Sequence, residues 1–265
     1  MKHARAAPGG RTFALCSFVF GLSLAASSCF ADTSVASGRT FVAPSSIPAE
    51  LVSKINASKA EFIAELESVL REDDLLFFVD KKHSLPTGFV PDDLVPLTEG
   101  RSYTISRKDL SLRVPAESAL EEMARAARKD GITLVASSSY RSYDYQKKVY
   151  ARIVGELGQA AADRESARPG TSQHQLGTAV DFGSITDDFA KTKAGMWLAA
   201  HAADYGWSLS FPEGYESVTG YRWECWHYRF VGKKAAALQK KWFGGIQQYM
   251  IEFIDAWKKA GLAAH

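Results

Sequence analysis

His174 and Asp181 in one short segment, and Glu224 and His227 in another, carry the side chains best suited to hold a divalent cation and to work beside it. Two imidazoles and one carboxylate leave a fourth tetrahedral position open, as a hydrolytic zinc site requires. Nickel or cobalt would also accept this donor set. His174, Asp181 and His227 are therefore the candidate ligands, for one Zn2+ per chain. Glu224 is the candidate general base: a carboxylate beside such a site can take a proton from metal-bound water, whose pKa falls to about 7, and return it to a leaving amine. Hydrolysis also needs a cation where negative charge develops or where an anionic substrate end is held. Arg141 supplies a planar guanidinium fork for either task. Ser172, Gln146 and Tyr140 are the candidate neutral contacts to substrate.

The spacings constrain the elements beneath these side chains. His174 and Asp181 are seven residues apart, and on one straight strand an odd separation sends side chains to opposite faces. The chain must turn between them, and Gly177 is where it can. Glu224 and His227 are three apart, which demands either a bulge near Cys225 or a bend that carries Glu224. Each residue also has a plainer reading. His83 and His201 are read as structural histidines, Asp181 alone could cap a helix or pair with an arginine, and Arg141 alone could form a surface ion pair of little value. Trp223 and Trp226 are read as core and pocket wall, and Cys225 as a bystander.

Periodicity places helices over 48–71, 115–129, 142–156, 187–205 closed by Gly206, and 234–259 with a break at Gly244-Gly245. Apolar runs place strands over 75–79, 132–136, 177–182 and 223–231. Residues 81–97 hold Pro86, Gly88, Pro91 and Pro96 and read as an extended loop. Strands scattered among helices without regular alternation predict an α+β fold. Its small antiparallel sheet carries the metal site, flanked by helices, with an N-terminal amphipathic helix.

With 46% hydrophobic and 23% charged residues, the 265-residue chain has the composition of a globular protein. Lys2, Arg5 and Arg11, the apolar run 12–26 and the small residues leading to Ala31 read as an export signal. That run is too short for a membrane span, so no transmembrane span is expected in the mature chain. Ala26-Ser27-Ser28-Cys29 offers an alternative, a lipid anchor at Cys29, although Ala26 stands where such sites carry Leu, Val or Ile. Removal of 1–31 turns a net charge of +2 into 29 basic against 30 acidic residues, so nothing points to nucleic acid. It also leaves Cys225 alone among three cysteines, and the fold must stand on its core without an internal disulfide. The expected division is 1–31 signal, 32–47 linker, 48–73 N-terminal helix and 74–265 zinc domain.

Three segments taken together resemble the zinc D-Ala-D-Ala carboxypeptidases of the vancomycin-resistance type and their L,D-carboxypeptidase relatives. They are S-x-Y-R-S-x-x-x-Q from Ser138, P-G-x-S-x-H-Q-x-G-x-A-x-D from Pro169, and E-x-W-H-x-R-x-V-G from Glu224. The resemblance covers roughly 75–232. It implies zinc on His174, Asp181 and His227, Glu224 as catalytic base, and Arg141 on the substrate or its transition state. It further implies an α+β domain with an antiparallel sheet under the metal. The implied substrate is a peptidoglycan stem peptide losing a terminal D-alanine, and the setting is the periplasm or cell envelope. Ser139 departs from the pattern where glycine is common, and Cys225 where proline or a small residue is common. A dipeptidase or wall-cleaving endopeptidase would use the same chemistry, and a non-catalytic wall-binding module would keep the metal without needing Glu224.

Overall fold

The computed structural model describes residues 33–34, 40–71 and 73–262, with only the backbone of 33, 34, 40 and 73. Segment 1–31, read from the sequence as an export signal, and Cys29 within it lie outside the described residues. Among the described residues, no helix is long and apolar enough to cross a membrane.

The strands are β1 (Thr33–Ser34), β2 (Thr40–Phe41), β3 (Leu94–Pro96), β4 (Thr104–Ile105), β5 (Ser111–Arg113), β6 (Val135–Ser138), β7 (Ala179–Phe182), β8 (Trp207–Leu209) and β9 (His227–Phe230). The helices are α1 (Ala49–Ala57), α2 (Lys59–Leu70), α3 (Val114–Lys129), α4 (Tyr143–Leu157), α5 (Gln159–Glu165), α6 (Lys193–His201), α7 (Glu216–Thr219), α8 (Lys233–Trp242) and α9 (Gln247–Lys259). The site rests on a five-stranded sheet of order β4-β6-β7-β9-β8. Its neighbours run antiparallel except for the parallel pair β4–β6 at one edge. This is the α+β architecture expected, with one parallel edge added.

Alternation along the two central strands divides their residues between two environments. Val180 and Phe182 of β7, with Tyr228 and Phe230 of β9, join Leu120 and Met123 of α3 and Leu198 of α6 in one apolar core. The intervening positions hold Asp181 and, opposite it in register, His227. A second core surrounds Phe41 of β2, Phe62 of α2, Trp242 of α8, Phe243 just after it, and Phe253 and Trp257 of α9.

Several predicted elements change in detail. Helix 48–71 is split at Ser58 (φ −128°, ψ 41°), where Asn56 and Ser58 are weak helix formers beside a run that buries Phe62, Leu66 and Val69. The predicted helix 187–205 is 3-10 at Asp187–Lys191, then α6, because Thr192 ends the first piece and caps the second by accepting from the Gly195 N–H. The predicted strand at 75–79 does not form. The fully buried Arg229 guanidinium donates to the carbonyls of Leu75 (2.8 Å) and Phe77 (2.9 Å), so a side chain meets the backbone polar groups that a ladder would have used. The predicted strand 223–231 shortens to β9, preceded by a turn.

Candidate active site

Each candidate ligand is set by a different local device. Ser172 opens the 3-10 turn Gln173–Leu176, its hydroxyl accepting from the His174 N–H at 3.3 Å. Gly177 then takes a left-handed conformation (φ 69°), the bend that the His174–Asp181 spacing requires. A Cβ at Gly177 would come within 2.9 Å of Leu94 Cδ2, so the turn is tight as well as left-handed. Beyond it the chain enters β7 and carries Asp181 inward. Glu224 and His227 are related by a turn and not a bulge: the His227 N–H donates to the Glu224 carbonyl at 3.1 Å. The register shift in this sheet falls instead in β6, between Ala136 and Ser138.

His174, Asp181 and His227 are all buried, and one donor atom from each lies within 4.8 Å of the others. His174 Nδ1 stands 2.7 Å from the Ser139 carbonyl oxygen, which can only accept, so Nδ1 carries the ring hydrogen. Burial, reinforced by the Arg141 cation, pushes His174 down to about 4, so the ring is neutral at neutral pH. Its Nε2 is then a bare lone pair, buried without a hydrogen-bond partner and 3.2 Å from Asp181 Oδ2. Burial disfavours charge on Asp181, but the imidazoles of His174 and His227 outweigh it and hold the carboxyl well below its usual value. A lone pair facing a carboxylate with no proton between them is a poor contact by itself. It is a fitting arrangement for a cation, and the N, N, O donor set suits zinc.

His227 Nδ1 lies 2.9 Å from Asp181 Oδ1 and 3.8 Å from Glu224 Oε2. Glu224 is buried, and that burial, with the charge of Asp181, raises its carboxyl well above the usual value; Arg141 and Arg222 pull the other way. Arg141 donates to Asp181 Oδ2 (3.1 Å), Gln146 Oε1 (3.0 Å) and Ser138 Oγ (3.2 Å). Ser138, Arg141, His174, Asp181, Glu224 and His227 line a groove of about 800 Å³ together with Ser172, Tyr145, Phe211, Tyr221 and Trp226.

The candidate contacts therefore separate. Arg141 and Ser172 face the groove, whereas Gln146 and Tyr140 are not among its lining residues. Gln146 is fully buried, and its amide is engaged by Arg141, Ser166 and the Ala167 carbonyl, so it holds the guanidinium in place. Tyr140 is half-buried, and its phenol is pushed upward by burial. His83 stacks on Phe78 and bonds Asp80, and His201 lies against Trp197; neither approaches the ligand group.

Gln173, Ser210 and Gln247 form a hydrogen-bonded group against His227 that sequence reasoning passed over. Gln173 occupies an unassigned place beside His174, and Gln247 lies 74 residues after Gln173 along the chain. The one available signal was a polar pair, Gln247-Gln248, opening an otherwise apolar stretch of helix.

The family model "VanY: D-alanyl-D-alanine carboxypeptidase" matches residues 109–233. YodJ of Bacillus subtilis (strain 168), which carries a carboxypeptidase name, is 37% identical over 177 residues, 64% of this chain and 65% of YodJ. The match thus spans just under two thirds of that relative's own length. The solved structure of the LD-carboxypeptidase LdcB, described for peptidoglycan recognition, is 34% identical, covering 66% of this chain and 84% of that one, with a TM-score of 0.60. A glutamate-to-alanine mutant of the vancomycin-resistance D,D-pentapeptidase VanY in complex with Zn(II), from a VanB-type cassette, is 28% identical. It covers 66% of this chain and 98% of its own, with a TM-score of 0.54. With these motifs, this fold and these relatives, the chain belongs to the VanY family of D-alanyl-D-alanine carboxypeptidases.

Proposed function

We propose that this protein is a zinc carboxypeptidase that removes a terminal D-alanine from peptidoglycan stem peptides, acting in the cell envelope after export through segment 1–31. The observation that carries this reading is the bare His174 Nε2 facing Asp181, with His227 Nδ1 in reach and the raised carboxyl of Glu224 next to them. His174 Nε2, an Asp181 carboxylate oxygen and His227 Nδ1 would hold one zinc ion per chain. Bound zinc would supply Lewis acidity, lowering the pKa of a water molecule and polarising the scissile carbonyl.

The residues divide the remaining work. Glu224 receives the proton of the attacking water, and its raised pKa suits it to keep that proton until the leaving amine takes it. Arg141, held by Gln146 and Ser138, presents a fixed cation at the groove, where it binds the C-terminal carboxylate or the developing oxyanion. Ser172 adds a hydroxyl to the same groove, and Tyr140, next to Arg141 in the chain, is a further candidate contact. Phe211 and Trp226 form apolar walls that exclude water from the scissile bond.

The test is release of D-alanine by purified zinc-loaded protein from a pentapeptide ending in D-Ala-D-Ala and a tetrapeptide ending in an L-centre–D-Ala bond. Activity on either, abolished by chelation, restored by zinc and lost in Glu224→Ala, supports the proposal, and the preferred peptide assigns D,D or L,D specificity. Release of a dipeptide, cleavage of cross-linked material alone, or binding without turnover would overturn it.

A further inference from the structure

Two adjacent left-handed glycines, Gly244 (φ 61°) and Gly245 (φ 78°), separate α8 from α9, whose first residue is Gln247. Gln247 is 2% exposed. An amide buried this deeply is costly unless its donors and acceptor are met, so its partners define its place. Gln247 Nε2 donates to Ser210 Oγ at 3.2 Å and to the Ser208 carbonyl at 3.4 Å. Ser210 Oγ donates to Gln173 Oε1 at 2.6 Å. Gln173 Nε2 returns a hydrogen bond to Gln247 Oε1 at 3.2 Å. The three side chains form a closed ring in which each donates to the next.

The ring has one opening. Gln173 Oε1 also faces His227 Nε2 at 3.2 Å. With its amide nitrogen committed to Gln247, Gln173 presents only an oxygen to the imidazole, so His227 Nε2 must carry the hydrogen. In the neutral ring this leaves His227 Nδ1, the nitrogen 2.9 Å from Asp181 Oδ1, as the lone pair that would meet the metal. Ring nitrogens of metal-binding histidines are commonly oriented this way by a partner on the far nitrogen. Here the orienting unit is anchored in α9, beyond the family-matched residues 109–233.

We propose that Gln247, acting through Ser210 and Gln173, is a positioning residue that fixes the tautomer and ring orientation of His227, so that metal affinity depends on the C-terminal helix. This rests on the reading of His174, Asp181 and His227 as zinc ligands.

The test measures the zinc dissociation constant by competition with a chromophoric chelator, and the visible spectrum of the cobalt(II) form, in the full chain. Wild type must first bind one equivalent of metal; failure there sinks the ligand assignment instead. Gln247→Leu, Gln173→Leu and the smaller change Ser210→Ala are each expected to weaken zinc binding about 10–100-fold and to shift the cobalt bands. Gln173→Leu combined with Gln247→Leu should lose little beyond the worse single variant, because the two act through one bond. Gln173→Glu keeps an oxygen facing His227 Nε2 and should retain wild-type affinity. Ser210→Ala removes a single oxygen and guards against the case in which a larger change prevents folding. Zinc affinity within about twofold of wild type in folded Ser210→Ala or Gln247→Leu, with unshifted cobalt bands, would overturn the proposal.

Discussion

The two buried regions of this protein are held together by opposite means. Around Phe62, ring centroids of Trp242 and Phe253 lie at 5.4 and 5.1 Å, and the buried apolar cluster continues through Phe41 and Trp257, with Glu65 meeting it at the Trp242 Nε1 hydrogen. Around Asp181, the buried side chains include imidazoles, carboxyl groups and amides, with the partly buried Arg141 guanidinium beside them. The aromatic region gains free energy from area removed from water, roughly 25 cal/mol per Å2, and is indifferent to small rotations. The polar region gains only if every donor faces an acceptor, and it tolerates a bare lone pair only where a ligand will meet it. Helix α9 belongs to both, with Gln247 in the polar network and Phe253 and Trp257 in the aromatic one. One helix thus contributes to both kinds of packing.

The largest way to break this division is at Glu224. Glu224→Gln keeps shape and burial but cannot accept the proton, and kcat/KM should fall about 10²–10⁴-fold. The same change should raise, not lower, the melting temperature of the metal-stripped protein. Burial and Asp181 lift the Glu224 carboxyl above its unfolded value. Between 4.5 and that raised value the folded state therefore binds more protons, and its stability declines as pH rises. Glutamine removes that penalty, so the gain should be absent below pH 4.5 and grow above it. Melting curves of metal-free wild type and variant across pH would show the reverse ordering if the site were a stability element.

The opposite probe is Phe62→Ala, in the aromatic region. Loss of a buried phenyl ring against Trp242, Phe243 and Phe253 should cost about 3–5 kcal/mol, read from urea unfolding. Zinc affinity and kcat/KM per folded molecule should stay at wild-type values. A comparable loss of zinc affinity would mean that the two regions are coupled through α2 as well as α9.

What could be read from the chain divides along the same line. His174, Asp181, Glu224 and His227 were legible because few side chains can do metal-assisted hydrolysis and their spacing allows few backbones. The bend at Gly177 followed from an odd separation, and the left-handed residue is there. The helices of the aromatic region were legible from apolar period, apart from the break at Ser58. The hydrogen-bond partners were not. Gln173, Ser210 and Gln247 meet only after folding, and an amide has no periodicity. Residues 75–79 misled for a related reason: an apolar run looks like a strand whether its carbonyls face a ladder or the guanidinium of Arg229, some 150 residues away. Burial pushes that guanidinium down to about 9, still cationic at neutral pH, and no local pattern announces it.

Removing zinc sharpens the comparison at intermediate size. Ligand binding to the folded state alone adds about 2.7 kcal/mol at a hundredfold excess over Kd. Chelation should lower the melting temperature by several degrees while far-ultraviolet dichroism and tryptophan fluorescence stay native, because both apolar cores remain. Unfolding on chelation would show instead that the polar region holds up the fold.

The smallest expected effect is at Cys225, which lies between the base and Trp226 and therefore looks placed for chemistry. The structure gives it none. Its sulfur is buried and sits 3.6 and 3.7 Å from the carbonyls of Thr186 and Asp187, too far for strong hydrogen bonds. Burial pushes the thiol above its usual value, so little nucleophilic thiolate exists at neutral pH. Cys225→Ala should cost about 1 kcal/mol from the space left by one sulfur, and kcat/KM should stay within about twofold of wild type. Treatment with a thiol alkylating reagent should likewise leave activity intact in the native protein. Rapid inactivation by the reagent in wild type, absent in Cys225→Ala, would place the thiol at the reacting groove and make Cys225 part of the polar region's function.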